Sequence, residues 1–488
     1  MRQAKSAPGA SNAFAWSLLN TLISRVGTLG IGIVLARVLG PDSFGTFAVA
    51  LVALMAVLSF NELGVSLAIV RWPGDPAKIV PTVNTISVAG SGIFCAGAVF
   101  AAPAFTAAMG DPEATDVVRV LILSVFVNGV VASPAALLQR DFKEKTRLGI
   151  DQVNVWTGAV LSVVLALAGV GAMALAVGRV AGSLVSGAMF LAASPLPYRF
   201  GLDRSQFVPL LRFGLPLAGT SIIFFAVGYA DQLTAGSMLG PAALAFYVLA
   251  FNLSNWPVSI LAQPLRRVAP AAFSALQQDK GALNSAFGSV VAVLAAATLP
   301  PVMFVAGSAV PLVDLVYGKD WLPAAAALSW LVVAAVSRIF SDLAYDFMVV
   351  QGRSGTVFVV QAGSLLVLVP ALAAGAALNG LPGLAFAQAL VSGCVLLPLY
   401  LWHVSRTGVS LRALCSVVWV PALASIVVGA SSLGLAGWLP APWLELPIGG
   451  ALAASTAAGL LYWRRDDVKL LRNVGRREAR PDVAELVR

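Results

Sequence analysis

Long runs of apolar residues, separated by short polar breaks, recur along almost the whole chain. Each run holds about 20 residues or more, the length of a helix that crosses a bilayer, and none alternates as the strands of a membrane barrel do. The pattern therefore predicts an all-α polytopic membrane protein with about fourteen transmembrane helices. The predicted spans lie at 14–37, 44–68, 82–107, 117–138, 149–169, 172–194, 213–237, 241–263, 285–309, 323–349, 355–375, 379–402, 412–436 and 446–463.

The composition excludes a soluble protein. Hydrophobic residues make up 59% and charged residues 11% of the 488 positions, and the mean hydropathy is +0.89. Soluble domains carry about 25% charged residues, so no arrangement of soluble domains would hide this much apolar surface. The first run carries Arg25 and is too long and too polar for a cleaved signal peptide, so we predict that it is a retained span.

The charges of the loops give the expected orientation. Basic residues concentrate in every second loop and in the C-terminal tail, whereas acidic residues such as Asp111, Glu113 and Asp320 lie in the loops between. This alternation follows the positive-inside rule if both termini are cytoplasmic. The net charge of +9 has the same origin, and it indicates contact with anionic inner-leaflet lipid rather than with nucleic acid.

An internal repeat divides the chain. Residues 38–50 (VLGPDSFGTFAVA) match residues 238–250 (MLGPAALAFYVLA) at the Leu-Gly-Pro triplet and at the final alanine, and Phe47 lies opposite Tyr247. Such repeats build transporters in which one half rocks against the other around a central site. The predicted parts are an N-lobe at 1–194, a cytoplasmic inter-lobe linker at 195–212, a C-lobe at 213–402, two further helices within 403–463 and a basic cytoplasmic tail at 464–488.

Three stretches carry a resemblance to a known family. Residues 35–71 (LARVLGPDSFGTFAVALVALMAVLSFNELGVSLAIVR) resemble the opening signature of bacterial polysaccharide-export flippases. These form the polysaccharide transporter branch of the multidrug/oligosaccharidyl-lipid/polysaccharide exporter superfamily, abbreviated MOP. Residues 251–279 (FNLSNWPVSILAQPLRRVAPAAFSALQQD) resemble that branch's stretch between the eighth and ninth helices. Residues 313–321 (VDLVYGKDW) are similar to its short outer loop.

The resemblance implies a fold and a function. The implied fold has two six-helix lobes related by a pseudo-two-fold around a central cavity, followed by two C-terminal helices. The implied function is a flippase in the bacterial cytoplasmic (inner) membrane that moves undecaprenyl-pyrophosphate-linked oligosaccharide repeat units by alternating access, for exopolysaccharide, capsule or lipopolysaccharide biosynthesis. A lipid-linked oligosaccharide is then the expected partner, with a polysaccharide polymerase and export machinery as further candidates. No cofactor is expected, and a proton or sodium gradient is the candidate energy source.

Charged residues inside the predicted spans are the candidate site residues, because a charge in the bilayer is costly unless it faces a partner or water. Arg25 and Arg179 are candidates for binding the substrate, since the arginine fork matches the oxygens of a pyrophosphate. Asp231 is a candidate for an ion pair with an arginine across the cleft between the lobes, or for binding a coupling ion. The alternative for the arginines is snorkelling or pairing within their own lobe.

The tenth predicted span carries three charges on one face. Arg338, Asp342 and Asp346 follow one another at intervals of four residues. Arg338 is the third candidate for substrate binding, and Asp342 and Asp346 are candidates for ion coupling. The structural alternative is an ion pair between Arg338 and Asp342.

The end of the eighth predicted span carries Gln263, Arg266 and Arg267. These three residues are candidates for an inner gate or for contact with phosphates at the inner leaflet. The alternative, which the sequence favours, is ordinary positive-inside anchoring.

Enzyme chemistry has little support in the sequence. One histidine and three cysteines occur without the spacing of a metal or redox site, and no long loop is available for a catalytic domain. We therefore predict neither a catalytic residue nor a metal site. A cation-coupled multidrug exporter of the same superfamily and a lipid II flippase stay open as alternatives. From another class, a membrane glycosyltransferase or polymerase stays open as well.

Overall fold

The computed structural model describes residues 10–61, 65–72, 74–258, 269, 273–274, 279–438 and 442–469. Helices joined by short loops make up the described residues, which contain no strand, so the all-α prediction is confirmed. The chain divides into two compact units, Met1–Phe225 and Ala226–Arg488.

The first unit is organised around α4. Its buried residues Leu121, Ile122 and Val125 pack against α1, α3 and α6. The helices of this unit are α1 (Ala10–Asn61), α2 (Val65–Arg71), α3 (Val80–Ala108), α4 (Thr115–Arg140), α5 (Glu144–Leu167), α6 (Met173–Ala193) and the first part of α7 (Arg204–Leu239).

The segment between α6 and α7 is fastened to the first turns of α3. The Asn84 amide donates to the Arg199 carbonyl oxygen at 2.8 Å, and the Thr85 hydroxyl donates to the Gly201 carbonyl oxygen at 2.8 Å. The helix α7 then begins at Arg204, inside the segment expected as an inter-lobe linker. The start of α7 therefore packs with the first unit, where Leu210 joins the core formed by α2, α3 and α4.

The second unit has an aromatic core. The rings of Phe287 and Phe347 lie 4.5 Å apart between centroids, and Phe273 packs against both. Besides the end of α7, this unit contains α8 (Pro241–Pro257), α9 (Lys280–Gly307), α10 (Ala309–Tyr317), α11 (Pro323–Val350), α12 (Ser354–Val391), a π-turn (Ser392–Leu396), α13 (Leu397–Ser405), α14 (Leu411–Trp438) and α15 (Pro442–Trp463).

Eleven stretches of the described residues are long and apolar enough to cross a membrane. One of them, Gly355–Ser405, has 51 residues and would reach about 75 Å as a straight helix, more than twice the apolar thickness of a bilayer. Its backbone leaves the helical conformation at Asn379 and Gly380, so it supplies two crossings rather than one. The total of fourteen spans stays a prediction.

The Gly-Pro pairs of the sequence repeat share one backbone conformation. Gly40 has φ 70° and ψ 174°, and Gly240 has φ 85° and ψ 178°. Only glycine adopts this region without strain, and the proline that follows cannot donate to the preceding turn. The pair therefore interrupts helix geometry within α1 and between α7 and α8, as the repeat predicts.

Candidate functional site

A polar cavity of about 210 Å³ lies among α7, α8, α11 and α12 of the second unit. Three of the charged residues predicted from the sequence line it, Asp231, Arg338 and Asp342. The remaining polar lining comes from Gln361, Ser364, Gln388 and Ser392. The structure thus brings together charges that are distant in sequence, within helices that are otherwise apolar.

Asp231 is the most deeply buried of these charges, with 3% of its surface exposed. Its Oδ1 accepts from the backbone amide of Gln232 at 2.8 Å, and its Oδ2 accepts from the hydroxyl of Tyr247 at 2.8 Å. Burying a carboxylate is costly unless it is hydrogen-bonded, and these two donors offset part of that cost.

Arg338 is held by α8. Its Nη1 donates to Oδ1 of Asn255 at 3.1 Å, and its guanidinium lies 4.7 Å from the centroid of the Phe251 ring. These two contacts involve no carboxylate, and the alternative of an ion pair between Arg338 and Asp342 stays a prediction. A guanidinium has several donors in a rigid fork, and a second helix can satisfy one of them without neutralising the charge.

Asp342 and Asp346 differ in position although they share a helix face. Asp342 lines the cavity, one turn from Arg338 on α11. Asp346 is half-buried one turn further along α11 and is not among the lining residues. The cavity therefore carries two carboxylates and one guanidinium.

Two glutamines complete the site, and sequence reasoning missed them. The side-chain amide of Gln361 donates to the hydroxyl of Tyr400 at 3.1 Å. The Oε1 atoms of Gln361 and Gln388 are buried without a hydrogen-bond partner among the described residues. Buried amides are normally satisfied, so unpaired carbonyl oxygens beside a carboxylate favour a ligand with donors or with positive charge. In the sequence, each of these two glutamines is marked only as an amide residue within an apolar run.

In the first unit, Arg179 lies on α6 beside a close helix contact. The Gly158 and Gly178 backbones of α5 and α6 touch, and a Cβ atom built on Gly178 would lie 2.6 Å from the Gly158 carbonyl oxygen. Arg179 is the next residue and is exposed. An exposed arginine in a membrane-crossing helix is satisfied by water or by a polar partner rather than by lipid tails. Arg25 also lies on α1, but its side chain is outside the described part of the chain.

The predicted gate lies outside the described residues, which applies to Gln263, Arg266 and Arg267 alike. The part of the chain that is described contains no group of three His, Cys, Asp or Glu residues able to hold a metal ion. A second cavity, of about 430 Å³, lies between α1 and α5 and has an apolar lining that includes Ile31 and Trp156.

Comparison with sequence families places the chain beside proteins of glycan synthesis. A family model described as "Polysaccharide biosynthesis protein" matches residues 34–326. The chain is similar to the lipopolysaccharide biosynthesis protein WzxC of Escherichia coli (strain K12), with 24% identity over 77% of each chain. It is also similar to the succinoglycan biosynthesis transport protein ExoT of Rhizobium meliloti (strain 1021), with 25% identity over 66% of this chain and 64% of that one.

Solved structures with the same fold are transporters. The lipid II flippase MurJ in an inward closed conformation matches with a TM-score of 0.78, covering 92% of this chain and 99% of that one at 13% identity. An inward-facing multidrug transporter of the MATE family matches with a TM-score of 0.63, covering 78% of this chain and 93% of that one at 17% identity. At these identities the likeness establishes the fold alone, which the chain shares with MurJ and with a transporter whose title places it in the MOP superfamily.

Proposed function

This chain belongs to the polysaccharide biosynthesis protein family, and from that premise we propose that it is a multi-pass flippase of the MOP superfamily. The substrate is an undecaprenyl-pyrophosphate-linked oligosaccharide repeat unit, which the protein moves across the bacterial cytoplasmic membrane by alternating access. By their names, two relatives act in lipopolysaccharide biosynthesis and in succinoglycan biosynthesis and transport, which supports a polysaccharide precursor as the substrate. The protein is proposed to be a transporter without catalytic residues, with both termini in the cytoplasm.

The observation that carries the proposal is the polar cavity of the second unit. Asp231, Arg338 and Asp342 lie in it among membrane-crossing helices, where charges are retained chiefly for transport. A pyrophosphate headgroup must lose water to cross the bilayer, and arginine donors are suited to replace that water. Arg338 in the second unit, and Arg25 and Arg179 in the first, are the proposed substrate-binding residues.

Energy coupling is proposed to use the carboxylates of the second unit. Asp231 and Asp342 share the cavity with the unpaired carbonyl oxygens of Gln361 and Gln388, and oxygen atoms of this kind suit a proton or a sodium ion. Asp346 is the third candidate on the same helix face. At the inner surface, Gln263, Arg266 and Arg267 are proposed as the gate.

Mass spectrometry of lipid-linked intermediates in host cells with and without this protein, together with an assay of surface glycan, tests the function. We expect a completed undecaprenyl-pyrophosphate oligosaccharide to accumulate at the inner leaflet and the surface glycan to disappear when the protein is absent. Accumulation of lipid II would identify a peptidoglycan-precursor flippase instead. Unchanged intermediates with lost tolerance to cationic drugs would identify a multidrug exporter.

Charge reversal tests the role of the first arginine. Arg25→Glu should abolish export without loss of membrane insertion, because a carboxylate repels the pyrophosphate. Arg119→Glu is the matched control, since Arg119 is an exposed residue whose guanidinium lies 3.1 Å from Asp116. If Arg25→Glu exports as well as Arg119→Glu does, Arg25 has no role in the substrate pathway.

A further inference from the structure

One face of α8 contacts both opposite charges of the polar cavity. Tyr247, Phe251 and Asn255 follow one another at intervals of four residues and therefore share this face. The rings of Tyr247 and Phe251 stack with 6.4 Å between their centroids. The Asn255 amide donates to the Phe251 carbonyl oxygen at 2.9 Å, which fixes its side-chain oxygen toward Arg338.

The two ends of this face hold charges of opposite sign. Tyr247 donates its hydroxyl hydrogen to Asp231 at one end, whereas Phe251 and Asn255 hold the guanidinium of Arg338 toward the other. Asp231 and Arg338 line the same cavity and carry opposite charges. In the described part of the chain they nevertheless form no ion pair with each other. Asp231 accepts from the Gln232 amide of its own helix and from Tyr247 of α8, and Arg338 donates to Asn255 of α8.

An ion pair with a carboxylate would neutralise the charge of Arg338. A guanidinium has five N–H donors, and a bidentate contact with a carboxylate would use two of them and cancel the charge. Asn255 takes one donor and leaves the charge in place. Phe251 covers one face of the guanidinium, and an aromatic face attracts a cation without accepting a proton.

We infer that Tyr247, Phe251 and Asn255 are positioning residues that keep Arg338 apart from Asp231 and thereby present Arg338 to an anionic phosphate group in the cavity. The inference rests on the proposed function for the identity of the anion, which is the pyrophosphate of a lipid-linked substrate. Asp342, one turn from Arg338 on α11, is the other carboxylate that lines this cavity. Asp231 is the carboxylate that the α8 face keeps from pairing with Arg338.

The test measures the Kd of farnesyl pyrophosphate, a soluble lipid pyrophosphate, for the purified full-length protein in detergent. Asn255→Leu should weaken binding about tenfold, the equivalent of one charge-assisted contact, because Arg338 is then free to pair with Asp231. Phe251→Leu should act in the same direction. Adding Asp231→Asn to Asn255→Leu should restore the Kd to within about threefold of the original, because no carboxylate at position 231 remains to capture the arginine.

Two controls separate positioning from folding. Leu253→Ala truncates a buried residue on the opposite side of α8 and should leave the Kd unchanged, although it lowers stability. Adding Asp342→Asn to Asn255→Leu should not restore binding. A normal Kd in Asn255→Leu, or rescue by Asp342→Asn instead of Asp231→Asn, overturns the inference.

Failure of the positioning role and failure of the proposed function give different results. If wild-type protein exports glycan in cells while Asn255→Leu keeps its Kd, the positioning role alone fails. If the wild type does not bind farnesyl pyrophosphate, the inference is overturned, and the analysis of lipid-linked intermediates decides whether the proposed function stands.

Discussion

Arg140, the last residue of α4, fastens the end of α2 through three hydrogen bonds to backbone carbonyl oxygens. Its Nη1 donates to Ile69 at 2.6 Å and to Trp72 at 2.8 Å, and its Nη2 donates to Gly74 at 3.0 Å. The final carbonyls of a helix have no partner within the helix, and a cation is favourable at this end of the helix dipole. Arg140→Ala would leave these carbonyls without their donor.

The magnitude follows from the burial of each bond. The bonds to Ile69 and Trp72 are partly buried, and the bond to Gly74 is exposed. A hydrogen bond to a charged group contributes about 1.5 kcal/mol at the low end of its range, and an exposed one about 0.5 kcal/mol. The expected loss for Arg140→Ala is therefore about 3–4 kcal/mol in the free energy of unfolding.

Unfolding of the purified protein by titration with a denaturing detergent measures this loss. Arg140→Lys should recover only part of it, because a compact ammonium cannot reproduce the fork that reaches three carbonyls. The matched control is Arg147→Ala on α5, whose partly exposed contact with Glu144 is 3.9 Å long and is expected to contribute about 0.5 kcal/mol or less. Equal losses for Arg140→Ala and Arg147→Ala would refute the assignment.

Three further substitutions test the backbone and the helix packing by the same unfolding measurement. Gly240→Ala should lower the free energy of unfolding by about 1–3 kcal/mol, because its φ of 85° is strained for any other residue. Gly219→Ala is the control, since it lies inside α7 with open space around it, and it should be neutral or stabilise by up to about 1 kcal/mol. Equal effects of the two substitutions would contradict the strain argument. Gly178→Ala should lower the free energy of unfolding by about 1–3 kcal/mol, because its Cβ would meet the Gly158 carbonyl oxygen at 2.6 Å. A variant as stable as the wild type would mean that α5 and α6 can move apart at no cost in stability. Asp279→Ala should lower the free energy of unfolding by about 1 kcal/mol, because its Oδ1 accepts from the backbone amides of Gly281 and Ala282, the second and third residues of α9, at 3.0 Å. Asp279→Asn should recover most of this loss if hydrogen bonding rather than charge is responsible.

The helices were predictable because the membrane requires long apolar runs and the chain marks their ends. The span predicted at 117–138 corresponds to α4 (Thr115–Arg140), and the span at 323–349 corresponds to α11 (Pro323–Val350). Proline or charged residues stand at these boundaries, where they stop an apolar run. The extent of α7 was not predictable, because the polar residues at its start read as a linker although they continue the helix.

The site was predictable only in part, for an equally physical reason. A charge in an apolar run is conspicuous, so Asp231, Arg338 and Asp342 could be identified from the sequence. A neutral polar residue such as Asn255 or Gln388 costs less free energy in a membrane-crossing helix than a charge does, and it does not disturb the apolar pattern. Which helix supplies that partner depends on packing across the unit, and this information is absent from helical periodicity.

The two copies of the sequence repeat differ at the residues of the polar cavity. Both copies keep the Gly-Pro break with the same backbone conformation, yet at the same offset four residues of the cavity and its α8 face correspond to aliphatic or aromatic residues of the first copy. Ile31, Phe47, Leu51 and Met55 stand in the first copy where Asp231, Tyr247, Phe251 and Asn255 stand in the second. Ile31 lines the apolar cavity of the first unit, and Asp231 lines the polar cavity of the second. The first copy forms its helices with apolar residues at these positions, which supports the proposal that the second copy carries its charges for transport.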